Sequence, residues 1–98
     1  MVAIKVIVEM QAEPGGRGEL RSLMEQIVAD QGSGQPGFLG SKRYEAVDNP
    51  DLLIEIADWE SAEARMSHMQ ESAATGVYEP VMAMLAKPIR VTVIKELS

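Results

Sequence analysis

An α+β fold, one four-stranded antiparallel sheet under helices, is predicted by three features of this 98-residue chain. Apolar segments of period two and of period 3.6 follow one another in the order β-α-β-β-α-(α)-β. A short Asp-Asn-Pro-Asp turn joins the two middle strands, which requires them to pair antiparallel. Each half reads strand, helix, strand, the split β-α-β or ferredoxin-like arrangement. The expected strand order is 4-1-3-2, with the helices on one face, in a single domain covering residues 1–98.

Residues 2–10 alternate, with Val2, Ile4, Val6 and Val8 on one side and Lys5, Ile7 and Glu9 on the other. Glu13-Pro14-Gly15-Gly16 stops this strand. From Arg17 to Gln31 the residues Leu20, Leu23, Met24, Ile27 and Val28 form one stripe of an amphipathic helix. Gly32 is its expected stop, and Ser33 to Gly37 continue the loop. Residues 38–47 and 52–58 are the second and third strands. Asp58 or Ser61 caps the next helix by accepting a free first-turn N–H. Ala62, Met66, Met69 and Ala73 are expected to be its apolar side. A short helix around Val77, Val81, Met84 and Leu85 tolerates Pro80 only near its first turn. Residues 89–97 close the sheet.

Composition narrows the partners. Fifteen acidic and nine basic residues leave a formal charge of −6, which repels phosphate backbones and anionic membrane surfaces. There is no cysteine, so disulfides, thiolate catalysis and iron–sulfur clusters are excluded. One histidine, His68, makes a zinc site implausible. The Gly15-Gly16-Arg17-Gly18 run lacks the Lys-Ser/Thr of a P-loop and reads as a turn. The first residues, MVAIKVIVEM, lack a basic leader region, and no stretch approaches the length of a membrane span. A cytoplasmic location is therefore expected. Aromatics make up only 4% of the chain while methionine reaches 7 residues, the recipe for a pliable core.

Alternation divides the strands into two sets. Val2, Ile4, Val6 and Val8, with Leu52, Ile54, Ile56, Ile89, Val91 and Val93, form the apolar set expected under the helices. Lys5, Ile7 and Glu9, with Leu53, Glu55, Ala57, Trp59, Arg90, Thr92 and Ile94, form a mixed set on the opposite face. Ile7, Leu53, Trp59 and Ile94 are too large and apolar to leave together in water. Two copies are expected to bury this second face against each other around a pocket, forming a homodimer.

An ordered group of residues carries a resemblance over nearly the whole length. It consists of Pro36-Gly37-Phe38, Asn49-Pro50, Trp59, Ser61, Ala64 and His68. With these the chain resembles the antibiotic biosynthesis monooxygenase family, the dimeric α+β barrel. The resemblance implies homodimers whose sheets close into a barrel with an internal cavity. In the oxygenase members, polycyclic phenols or quinols are oxidised with O₂ and no metal or flavin cofactor. Other members degrade haem, isomerise small molecules or have no demonstrated chemistry. Trp59 resembles a cavity-lining residue of the oxygenases. Glu55 stands where some of them carry asparagine, and Ala57 where glutamate is common.

Each candidate residue has two readings. Trp59 is either a wall for a flat aromatic ligand or a hydrophobe sealing the interface. His68 is either a general base or a helix-surface histidine. It lies about 200° around the helix from Met66 at ~100° per residue, which points it away from the apolar stripe. Glu55 shares a strand side with Trp59 and is either a proton acceptor or a structural ion-pair partner of Arg90. Arg90 is otherwise the stabiliser of a phenolate, and Tyr44 a further substrate contact. Tyr78, like Tyr44, also reads as a packing residue with a hydrogen-bonded hydroxyl. The expected activity is cofactor-independent monooxygenation of a phenol, quinol or similar small aromatic. A non-catalytic ligand-binding or regulatory dimer and a small-molecule isomerase are the alternatives.

Overall fold

The computed structural model describes residues 3–31 and 34–97. The readings placed on Val2, Gly32 and Ser33 lie outside the described residues. The elements are β1 (Ile4–Gln11), α1 (Arg17–Gln31), β2 (Phe38–Glu45), β3 (Leu52–Trp59), α2 (Ala62–Thr75), α3 (Glu79–Ala83) and β4 (Arg90–Ile94). They form a four-stranded sheet in the order β2-β3-β1-β4, with every neighbouring pair antiparallel. This is the expected ferredoxin-like order read from the other edge.

The α1 stripe holds: Leu20, Met24 and Ile27 are buried against Met10, Leu53 and Val81. A second apolar group joins Ile4, Val6, Ala57 and Trp59, with Phe38 and Ala64 packed on it. Ser61 caps α2, its Oγ accepting from the Ala64 N–H at 3.1 Å. Gly76 ends α2 in the left-handed conformation (φ 68°) and donates its N–H to the Ser72 carbonyl. Pro80 sits in the first turn of α3, where its missing N–H costs nothing.

The register corrects one expectation. Ile4 faces Trp59, Val6 faces Ala57, Val8 faces Glu55 and Met10 faces Leu53. Directly opposed residues share a face, so Leu53, Glu55, Ala57 and Trp59 lie under the helices with Ile4, Val6 and Val8. Leu52, Ile54 and Ile56 point outward with Ile7 and Glu9 instead. The alternation of β3 is as read, but its two sides are exchanged. Register decides this, because a one-residue shift moves a whole strand's side chains across the sheet. The turn at residues 46–51 is held by Ala46 N–H to the Leu52 carbonyl and by Arg17, which donates to the Ala46 and Asn49 carbonyls at 3.4 and 3.0 Å. An arginine from α1 thus clamps the hairpin.

The stripe of α2 is corrected too. Ala64, Arg65, His68, Met69 and Ser72 turn inward, while Ala62 and Ala73 are exposed and Met66 is 54% exposed. The cap and the Gly37 turn pin the first turn of α2. Gly37 adopts φ +82°, and a Cβ there would stand 2.5 Å from the Ala64 methyl. That close approach forces Ala64 against the sheet. His68 keeps its offset of about 200° from Met66, but Met66 faces out and the histidine therefore faces in.

Candidate functional site

Between the two apolar groups lies a cavity of about 180 Å³. Sheet residues Val8, Glu55, Ala57 and Trp59 form its floor, and Phe38 closes one end from β2. Arg65, His68 and Met69 from α2 and Tyr78 from the following turn form its roof. Ile89, Val91 and Met82 line it at the β4 side. The walls are mostly apolar with few polar groups, the usual make-up of a small-molecule site.

Trp59 is buried, and its ring meets two others. Phe38 presents an edge at a centroid distance of 5.1 Å, and the His68 imidazole lies 5.2 Å away at a 36° tilt. The tryptophan therefore packs and lines the cavity at once. His68 is 8% exposed. Its Nε2 is 3.4 Å from both the Tyr78 hydroxyl and the Ser72 Oγ, while its buried Nδ1 has no partner among the described residues. Burial holds the His68 pKa below the ordinary value; the nearby Glu71 charge opposes this and Arg65 reinforces it. At neutral pH the ring is uncharged and one nitrogen can accept a proton.

Glu55 is also 8% exposed. Burial pushes its carboxyl up, against the charge and hydrogen bond of Arg43. Arg43 Nη1 lies 3.5 Å from Glu55 Oε2 and donates to the Ser41 Oγ at 3.1 Å. Its Nε is 3.9 Å from Glu25 of α1. The expected ion pair with Arg90 does not form. Arg90 lies on the outer face, its side chain 79% exposed and 3.5 Å from Glu9. β4 alternates as read, so exchanging the sides of β3 alone separates Arg90 from Glu55. Tyr44 also lies outside the cavity, opposite Ile54 on the outer face and 47% exposed. The structure thus brings together Glu55, His68 and Trp59 and keeps Arg90 and Tyr44 away from them.

Three further residues complete the site. Arg43 stands directly across the hairpin from Glu55, and charge complementarity across the turn is the signal for it. Tyr78 reaches the cavity from the break between α2 and α3; burial and the Glu55 charge raise its pKa, partly offset by the Ser72 hydroxyl. Arg65 is three residues before His68 and shares its helix face. Among the described residues, no three of His, Asp and Glu stand close enough to hold a metal ion, and no helix is long and apolar enough to cross a membrane.

Solved structures share this fold across almost the whole chain. A conserved protein of Methanosarcina mazei Go1 superposes with a TM-score of 0.85 at 18% identity, covering 99% of this chain and 95% of its own. Rv0793 of Mycobacterium tuberculosis gives 0.81 at 23% identity, covering 98% and 96%. SnoaB, a cofactor-independent oxygenase of Streptomyces nogalater solved as a mutant, gives 0.84 at 14% identity, covering 100% and 96%. No curated protein matches the sequence. The sequence profile of the antibiotic biosynthesis monooxygenase family matches residues 3–78, more than three quarters of the chain, and the protein therefore belongs to that family.

Proposed function

We propose that this protein is a cofactor-independent monooxygenase that oxidises a small phenol or quinol with O₂ in the helix-covered cavity. The supporting observation is the joint burial of Glu55 and Trp59 on one wall, with His68 above them. A carboxyl whose pKa is raised by burial is a stronger acceptor for a phenolic proton. Arg43 opposes the effect of burial and favours the charged form of the carboxyl.

The chemistry needs a substrate that supplies its own electrons. Glu55 accepts the hydroxyl proton, and the aryloxide passes one electron to O₂. Superoxide and the substrate radical join through a new C–O bond at a ring carbon that bears hydrogen. The resulting hydroperoxide loses that hydrogen as a proton while its O–O bond breaks, and hydroxide leaves as water. For a quinol the balance is quinol plus O₂ to hydroxyquinone plus water. Trp59 holds the ring and the apolar walls exclude water.

The functional unit in this reading is a homodimer. Ile7, Ile54, Ile56 and Ile94 lie on the face of the sheet away from the helices, an apolar surface suited to a second copy.

Oxygen uptake with a panel of mono- and bicyclic hydroquinones is the test. Consumption that disappears in Glu55→Gln, with thermal stability kept, supports the assignment. Absence of uptake across the panel would sink it.

A further inference from the structure

The chain has five arginines: Arg17, Arg21, Arg43, Arg65 and Arg90. Four lie within 4 Å of a carboxylate: Arg17 of Glu45, Arg21 of Glu25, Arg43 of Glu55 and Glu25, and Arg90 of Glu9. Arg65 alone has no such partner among the described residues. It is partly buried on the inward face of α2 and lines the cavity with Trp59 and Glu55.

An acidic chain with 15 carboxylates offers many places to neutralise a guanidinium. The arginine left without one is the arginine that lines the cavity. A partly desolvated guanidinium is satisfied by a planar, two-oxygen anion, which its fork of N–H donors matches in geometry. Glu55 is the cavity's own carboxylate, and Arg43 already engages it. Among the described residues, Arg65 is therefore free to receive an anion that arrives with the ligand.

Volume limits the rest of that ligand. An engineered cavity of about 150 Å³ holds benzene, so about 180 Å³ takes one ring or a compact two-ring system. Phe38, Trp59 and Val8 offer that ring apolar contact.

We propose that Arg65 is the anion-binding residue of this cavity, and that the ligand is an aromatic carboxylic acid of one or two rings with its carboxylate at Arg65. This deepens the functional reading above and rests on that reading's choice of the cavity as the ligand site. Arg90, the sequence's candidate for stabilising a phenolate, lies on the outer face and takes no part in this site.

Trp59 is the sole tryptophan, so its fluorescence reports cavity occupancy without turnover. The probes are 1-hydroxy-2-naphthoate and its neutral carboxamide, titrated against the full chain. The acid is expected to bind at least about tenfold more tightly than the amide, the lower end of the range for a hydrogen bond to a charged group. Arg65→Gln should lose this preference by weakening the acid alone, and Arg65→Lys should restore part of it. Equal binding of acid and amide by the unaltered protein, an undiminished preference in Arg65→Gln, or no response to either probe would overturn the proposal. Oxygen uptake separates the two readings. Acid-selective binding without oxidation of any quinol retires the oxygenase and keeps the site. Quinol oxidation without acid selectivity does the reverse.

Discussion

Arg43 stands directly opposite Glu55 in the β2–β3 hairpin, with its Nη1 3.5 Å from the Glu55 Oε2. The separation is long for a charge-assisted bond. Glu55 is thus neither a fully neutralised ion-pair member nor a free acid. Burial raises its pKa and Arg43 pulls it back. A base held in this balance can take a proton and give it up again.

Arg43→Met should unbalance it. Without the guanidinium, burial alone acts on Glu55 and its pKa climbs further. The acidic limb of the pH–rate profile is expected to move to higher pH, with a lower rate at pH 7. Glu55→Gln should remove the limb and slow turnover by at least about 100-fold, the usual worth of a positioned base. An acidic limb in the same place in Arg43→Met would separate Arg43 from the base.

Stability should follow pH in opposite senses at Glu55 and His68. The folded pKa of Glu55 lies above its ordinary value near 4.5. Its ionised form is therefore a burden that lifts as pH falls through the folded pKa. The folded pKa of His68 lies below its ordinary value near 6.5. The unfolded chain takes up that proton first, so stability is lost as pH falls below about 6.5 toward the folded pKa. Thermal midpoints from pH 8 to 4 should show Glu55→Gln losing the acid-side gain and His68→Gln losing the acid-side loss. Superimposable profiles for the two variants would contradict both assignments.

Gly37→Ala should destabilise the protein. The position has φ +82°, and the new methyl would meet the Ala64 methyl at 2.5 Å. A non-glycine residue in that conformation costs about 1–3 kcal/mol before the clash is added. Urea unfolding is the check. Because this contact orients α2, the loss should come with a changed Trp59 emission.

Ile56→Lys tests the dimer. Ile56 faces Ile7 on the side of the sheet away from the helices. A charge there leaves the cavity side untouched and opposes burial of the face. Light scattering is expected to give twice the 10.7 kDa chain mass for the unaltered protein and the single mass for the variant. A variant that stays dimeric would place the interface elsewhere.

Element order, strand pairing and the α1 stripe were legible because each rests on local chemistry: period two, period 3.6, a Pro-Gly stop, a hairpin turn and a serine cap. Glu55, Trp59 and His68 were also legible, as the scarce or ionisable residues of one strand-to-helix unit. Which way they point was not. Both sides of β3 carry large apolar residues, Leu52, Ile54 and Ile56 against Leu53, Ala57 and Trp59, so alternation marks two faces without saying which is inside. The pairing of Val8 with Glu55 and the Arg17 clamp on the hairpin decide that. On α2 the most apolar stripe was not the inward one, because the Ser61 cap and the Gly37 approach set the helix's rotation before hydrophobicity could. The exchange of Arg90 for Arg43 and Arg65 follows from those two rotations. A chain's periodicity measures angles within an element, and only contact between elements gives those angles an origin.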